Sequence, residues 1–225
     1  MAPPAVSFVV PARNEADYLE ATLSSIDAQR GDVDHEVVVA DGGSTDGTVD
    51  VAREHGAEVV SEGGHSIAAG RNAGAAAADG EWLAFVDADT TLTPEYLTTM
   101  LAFVEREDLV GASSRCRMTG PYRAKAMEWT INHVFPRLAA PVLPGFNTFV
   151  RRDAFERVGG FPDVPNEDTA FSRRLGRDAP TAYCPEVLVE SSGRRISELG
   201  LTGTLLHYLW LDWGRLRASR GTDQR

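Results

Sequence analysis

The feature that most constrains the fold is a pattern repeated through the first hundred residues. A short apolar run stops abruptly on polar or acidic residues, and a helical stretch follows. The runs are VSFVV at 6–10, EVVVA at 36–40 and WLAFV at 82–86, with a shorter one at 57–61. They are apolar almost throughout, as expected of strands covered on both faces. Between them, Leu19, Leu23 and Ile26 repeat at the spacing of one buried helical face, residues 49–54 continue as a helix, and residues 66–78 are rich in alanine and glycine, which requires close packing on a neighbour. The strand–helix alternation predicts an α/β fold with a mostly parallel central sheet flanked by helices. In such a sheet ligands meet the carboxyl ends of the strands. Three segments fall there: Pro11-Ala12-Arg13-Asn14-Glu15, Asp41 through Thr48, and Asp87-Ala88-Asp89.

Asp87 and Asp89 offer hard oxygen ligands. These suit Mg²⁺ or Mn²⁺, ions that complete their shells with water and substrate phosphates, so a nucleotide diphosphate bridged by a divalent ion is the first chemical expectation. The other reading of the pair is a turn acid and a solvated acid. Gly42 and Gly43 let backbone approach a ligand closely, while Ser44, Thr45 and Asp46 are candidate helix caps. Arg71 is the conspicuous polar residue of its small-residue helix. After Asp89 a threonine-rich turn is expected, with a helix opening at Thr93-Pro94-Glu95.

Beyond Arg106 the pattern loosens. A strand is expected at 109–118 and a helix at 122–135, interrupted by Pro136. The turn Pro144-Gly145-Phe146-Asn147 precedes a short strand to Val150 and a helix at 153–158, closed by Gly159-Gly160-Phe161-Pro162. Asn166-Glu167-Asp168 opens another helix, with Phe171 and Leu175 on one side and Arg173, Arg174 and Arg177 beyond. Leu205, Leu206, Leu209, Trp210 and Trp213 recur at helical spacing before Arg215, Arg217 and Arg220. That amphipathic helix suits packing on the sheet or contact with anionic lipid.

A formal charge of −11, from 33 acidic against 22 basic residues, argues against a nucleic-acid partner, which needs a positive footprint. Lys125 is the sole lysine, so positive charge is almost wholly arginine, a bias fitting a GC-rich genome or a saline cytoplasm. Cys116 and Cys184 supply neither a disulfide framework nor a zinc pattern and read as small apolar residues. No charged leader precedes Val6, and no run reaches the roughly 18 apolar residues of a membrane span, so a soluble cytoplasmic chain is expected. His133 and His207 fall in helical segments as packed or surface residues.

Five ordered segments carry a resemblance: VSFVVPARNEADYLEATLSSI, VVVADGGSTDGTVDVA, GRNAGAAAADGEWLAFVDADTTLTPEYL, GFNTFVRRDAFERVGGFP and NEDTAFSRRL, together covering most of positions 6–177. In order and spacing the chain resembles the family 2 glycosyltransferases of GT-A fold, inverting enzymes that use sugar nucleotides, and its small soluble prokaryotic members in particular. The resemblance implies one domain over 1–225, with a nucleotide-binding half at 1–105 and, at 106–225, an acceptor half ending in the C-terminal amphipathic helix. It implies that Pro11, Ala12 and Glu15 border the nucleoside, that Asp41 accepts a hydrogen bond from the base, and that Arg71 lies near base or phosphates. Asp87 would stand near ribose and metal-bound water, with Asp89 the direct ligand of Mg²⁺ or Mn²⁺. Glu167-Asp168 matches the acceptor-side dyad, Asp168 as general base and Glu167 as its orienting neighbour; the same acids also suit a helix start.

The implied donor is a UDP- or GDP-sugar. The acceptor is a hydroxyl or a lipid phosphate, including polyprenyl-linked ones, which would bring peripheral contact with the inner face of the membrane. Asn147 would face the acceptor, and Arg194 and Arg195, after Ser191-Ser192-Gly193, would clamp a phosphate or remain solvated surface residues. His65 would touch phosphate or stay an exposed loop residue. The chain departs from the family in having Gly42 where a second aspartate is common, and it lacks the processive QxxRW signature, so single addition is expected. A catalytically idle nucleotide-sugar-binding module is the alternative. Nucleotidyltransferase chemistry would need a glycine-rich first loop with arginine and lysine, which positions 11–17 lack, and no GxGxxG follows the first strand for a dinucleotide. Residues 106–144 hold no interpretable motif.

Overall fold

The computed structural model describes residues 4–62 and 66–194. His65, Arg195 and the expected C-terminal helix, His207 included, lie outside these residues.

An eight-stranded sheet organises the molecule, its strands lying in the order β3 (Glu58–Ser61), β2 (His35–Asp41), β1 (Val6–Ala12), β4 (Trp82–Phe85), β7 (Thr148–Arg151), β6 (Gly111–Thr119), β8 (Thr181–Ser192) and β5 (Thr90–Leu92). Its first half is parallel: β1 (Val6–Ala12) lies between β2 (His35–Asp41) and β4 (Trp82–Phe85), and β3 (Glu58–Ser61) extends β2. Helices α1 (Ala16–Asp27), α2 (Thr48–Glu54) and α3 (Ile67–Ala77) make the crossovers, and Leu19, Leu23 and Ile26 of α1 are buried as their spacing requires. Ser66 caps α3, its hydroxyl accepting from the Ala69 N–H at 3.1 Å. The small residues of α3 are sterically required: a Cβ at Gly74 would lie 2.5 Å from Val9 Cγ1. The register sets Ala12 opposite Asp41, so the ends of β1 and β2 are flush and their loops share one edge of the sheet.

The second half is mixed. β7 (Thr148–Arg151) runs antiparallel to both β4 and β6 (Gly111–Thr119), and β8 (Thr181–Ser192) runs parallel to β6. The pairing of Phe85 with Thr148 brings the start of β7 beside the end of β4. The expected threonine-rich turn is instead a strand, β5 (Thr90–Leu92), paired antiparallel with β8. Its partner lies about a hundred residues away, so local pattern could not reveal it. Helix α4 (Tyr96–Arg106) begins later than Thr93. α5 (Tyr122–His133) stops before a 3₁₀ turn holding Pro136, and a second 3₁₀ turn, Gly145–Asn147, leads into β7. α6 (Arg152–Val158) ends on Gly159 at φ 79°, and α7 (Glu167–Asp178) follows.

Side chains alternate across β1, so two cores form on opposite faces of the sheet. Phe8, Tyr96 and Phe149 anchor one, and Val9, Phe85, Phe155, Phe161 and Phe171 the other. Cys116 and Cys184 are buried and unbridged, with burial pushing the Cys116 thiol up to about 12. Among the described residues no helix is long and apolar enough to cross a membrane.

Candidate functional site

The site is assembled where β4 ends. One residue past the strand, the Val86 N–H still donates to the Val9 carbonyl at 3.1 Å, and the chain then turns through Asp87-Ala88-Asp89 into β5. The Ala88 carbonyl is held by the Thr22 hydroxyl at 2.8 Å. The two aspartates meet different arginines.

On one side, Arg71 Nη2 donates to Asp87 Oδ1 at 2.9 Å and Nη1 donates to Glu167 Oε1 at 2.6 Å. The Arg71 side chain is only 3% exposed. Its guanidinium lies against Gly145, where an added Cβ would fall 2.4 Å from Cζ, and 5.3 Å from the centroid of the Phe161 ring. Burial opposes the charge, yet Asp87, Glu167 and Asp168 together outweigh it and raise the Arg71 pKa. Asn72, the next residue of α3, fixes the Phe161 backbone, its amide donating to the carbonyl at 2.8 Å and accepting from the N–H at 2.9 Å.

Helix α7 starts from Asn166 at φ 57°, a left-handed position that asparagine tolerates, and this sets Glu167 and Asp168 in the first turn. Asp168 Oδ1 accepts from the Thr169 N–H at 2.6 Å. Burial, reinforced by the neighbouring Glu167, pushes the Asp168 carboxyl up to about 6, against the opposing pull of Arg71 and of the Thr169 and Gly145 N–H groups. A carboxylate with that pKa is ionised at neutral pH and basic enough to accept a hydroxyl proton. The bond to Thr169 holds the Asp168 carboxylate within the first turn of α7.

On the other side, Arg194 Nη2 donates to Glu15 Oε2 at 2.7 Å and makes a longer contact of 3.4 Å with Asp89 Oδ2. Both acids are almost fully covered, at 5% and 4% side-chain exposure. The Arg194 guanidinium sits over the Tyr18 ring at 4.2 Å. The contact follows from the sheet, because the Ser192 N–H bonds the Asp89 carbonyl at 3.1 Å and delivers the end of β8 to the turn.

At the end of β2, the Asp41 carboxylate accepts from the Gly43 and Ser44 N–H groups, each at 3.1 Å, and so closes its own loop. The Asn14 N–H donates to the Ser44 hydroxyl and the Asn14 side chain accepts from the Thr45 N–H, tying the β1 and β2 loops together. Of the expected caps, Asp46 binds both the N–H and the hydroxyl of Thr48, whereas Ser44 and Thr45 serve Asn14. Pro11 and Ala12 lie at the end of β1 beside this loop. Glu62 also belongs here: its N–H donates to the Asp41 carbonyl at 3.1 Å, and a Cβ at Gly42 would lie 3.0 Å from its Oε1. No local pattern marks Glu62 as a site residue, and only the flush end of β3 brings it next to Gly42.

Asn147 is set apart from these groups. It is fully buried, with its amide donating to the Ser114 carbonyl at 2.8 Å, and it fastens the 3₁₀ turn before β7 to β6. His133 is exposed, stacked on Trp129.

Among the described residues no three His, Cys, Asp or Glu side chains form a ready-made metal cage. The chemistry of the Asp87 and Asp89 pair still fits a Mg²⁺- or Mn²⁺-type ion, which is held by one or two carboxylates and otherwise by water and substrate phosphates.

The sequence profile described as Glycosyl transferase family 2 matches residues 7–159. Validoxylamine A glucosyltransferase of Streptomyces hygroscopicus subsp. jinggangensis is 32% identical over 167 residues, 71% of this chain and 36% of its own length. S. aureus TarS (residues 1–349) superposes with a TM-score of 0.68 at 20% identity, covering 84% of this chain and 60% of that one. Mannosyltransferase PcManGT from Pyrobaculum calidifontis, solved with GDP-Man and Mn²⁺, has a TM-score of 0.68 at 24% identity, covering 84% and 56%. The two structural likenesses are of fold. The chain spans between 30% and 61% of the length of the first curated relatives it matches. A profile match over more than half of its residues, on a sheet that superposes on GT-A glycosyltransferases, establishes that the chain belongs to glycosyl transferase family 2.

Proposed function

We propose that the protein is an inverting, metal-dependent glycosyltransferase that moves a sugar from a UDP- or GDP-sugar to a hydroxyl or lipid-phosphate acceptor. The observation that carries this reading is the Arg71 bridge. It joins Asp87, at the end of β4, to Glu167, beside Asp168 at the start of α7. Donor-side and acceptor-side acids thereby share one ion cluster.

Asp168 takes the proton of the acceptor hydroxyl as its oxygen bonds to the anomeric carbon, while the bond from that carbon to the diphosphate breaks on the opposite face. A lipid-phosphate acceptor arrives already ionised and needs orientation rather than deprotonation. Glu167, held by Arg71, keeps the first turn of α7 in place and supports the basicity of Asp168. Asp41 and the N–H groups of its loop border the nucleoside with Pro11, Ala12 and Glu15. Asp89, with Asp87, would hold Mg²⁺ or Mn²⁺, which when bound neutralises charge developing on the leaving diphosphate. A fold neighbour solved with GDP-Man and Mn²⁺, and TarS solved with UDP-GlcNAc, support the choice of donor class and metal. The basic, amphipathic pattern at 205–220 supports a cytoplasmic protein touching the inner membrane face, where polyprenyl-linked acceptors reside.

The test is sugar release and transfer from a panel of UDP- and GDP-sugars, with and without Mn²⁺, for the wild type and Asp168→Asn. Metal-dependent turnover lost in Asp168→Asn is the expected result. Equal slow hydrolysis in both proteins, with no transfer to any acceptor, would instead make the chain a nucleotide-sugar-binding module.

A further inference from the structure

The Asp89 side of the turn holds an arrangement that the transfer reaction by itself does not call for. Asp89 and Glu15 are both nearly inaccessible to solvent, and the same nitrogen of Arg194 contacts both. Two covered carboxylates next to each other repel and are costly to desolvate unless a cation lies between them. Arg194 supplies that charge at 2.7 and 3.4 Å, with its guanidinium stacked over Tyr18. Asp89 is the acid expected to receive the divalent ion, so a protein nitrogen stands beside the oxygen that the ion would coordinate.

We propose that Arg194 is the resident cation of the metal position in the ligand-free protein, and that it leaves Asp89 when the divalent ion arrives with the donor, turning its guanidinium to the diphosphate. This rests on the transferase reading given above. Two features of the structure favour exchange over a permanent ion pair. The Arg194–Asp89 contact is the longer of the two, and the Arg194 side chain is 32% exposed while both acids are covered, so the arginine has room to move and the acids do not. A guanidinium is weakly hydrated and presents five donors in a planar fork, so it can exchange carboxylates for phosphate oxygens without changing charge. Arg194 would thus make the site bind metal poorly without nucleotide and well with it, loading the two together.

The experiment is Mn²⁺ binding followed by electron paramagnetic resonance of free Mn²⁺, with and without UDP or GDP, on the wild type, Arg194→Gln and, as a charge control, Arg117→Gln. Circular dichroism establishes that each variant folds, and Arg194→Lys replaces the glutamine variant if that one does not. Without nucleotide, Arg194→Gln should bind Mn²⁺ about tenfold more tightly than the wild type, a gain that survives 0.5 M KCl because direct occupancy is not screened as through-space repulsion is. Mn²⁺ should also raise the melting temperature of Arg194→Gln more than that of the wild type. With nucleotide the advantage should shrink or reverse. Arg194→Lys, which keeps a charge but not the fork, should fall between the two. Equal Mn²⁺ affinities, or a gain matched by Arg117→Gln and abolished by salt, would overturn the proposal while leaving the transferase reading intact. Failure of every protein to bind Mn²⁺ even with UDP or GDP would end both.

Discussion

Arg71 Nη1 lies 2.6 Å from Glu167 Oε1, a contact between residues 96 positions apart that fastens the α3 helix to the start of α7. The same guanidinium holds Asp87, so one buried side chain fixes the relative position of the two acidic segments expected to carry the chemistry. Its consequences are measurable.

Replacing Arg71 with methionine leaves Asp87 and Glu167 facing each other without their shared counter-ion. Breaking a buried pair in this way costs about 3–5 kcal/mol, and urea denaturation should show a correspondingly lower midpoint. Arg71→Lys should recover only part of the loss, because a single ammonium cannot fork to two carboxylates. Retention of wild-type stability in Arg71→Met would mean that the bridge contributes little.

Asp168 gives two opposite pH signatures. Its carboxyl is raised from an ordinary 3.8 to about 6, so turnover that needs the ionised form should climb through pH 6 and level off above it. For stability the sign reverses. A raised folded-state pKa means that the native state binds the proton more tightly than the unfolded chain, so its contribution is fully present below the unfolded pKa and is lost as pH rises through about 6. Asp168→Asn should therefore abolish transfer yet be more stable than the wild type at pH 8, by up to about 3 kcal/mol. That difference should shrink toward pH 4. Thermal melts across this range, beside rate profiles, check both halves.

Gly145 is the wall behind the Arg71 guanidinium. Alanine there would set its Cβ 2.4 Å from Cζ and force the arginine off its two partners. Overpacking of this kind costs about 1–3 kcal/mol, and Gly145→Ala should lose activity along with stability. Gly74→Ala is the comparison: its Cβ meets Val9 at 2.5 Å and Ala40 at 3.6 Å rather than the Arg71 guanidinium, so it should lower stability while sparing donor affinity in the protein that remains folded. Nucleotide titrations of both variants separate the two effects.

Asn147 should behave as a structural residue. Its buried amide joins Ser114, and Asn147→Ala would leave Ser114 groups without that partner, at a cost of about 1–3 kcal/mol. The acceptor KM of the folded fraction should be unchanged. A raised KM at unaltered stability would instead assign Asn147 to the acceptor site.

Much of the architecture was legible from the amino-acid order alone. Apolar runs ending at Val10, Ala40 and Val86, separated by helical periodicity, are enough to specify a parallel α/β half-sheet, because burial on both faces leaves a continuous hydrophobic signature and because crossover connections put successive strand ends on one edge. Asp87 could be picked out because it interrupts an apolar run at a strand end, and Asp41 stands at another such end, whereas the roles expected of Asp41, Glu167 and Asp168 came from the family resemblance.

What tertiary structure alone decided is which of those residues meet. Strand β5 exists only because β8 pairs with it, the pairing that carries Arg194 to Asp89. Arg71 reaches Asp87 and Glu167 only because α3 packs tightly on β1 through Gly74 and because Gly145 leaves space for a guanidinium. Asn147, placed in a turn by its sequence, proved to be interior because β6 covers it. The physical reason is common to all three. Periodicity reports the face on which a residue lies, through short-range geometry, whereas an ion pair or buried amide depends on long-range strand order and on the absence of a side chain elsewhere, and neither leaves a local trace.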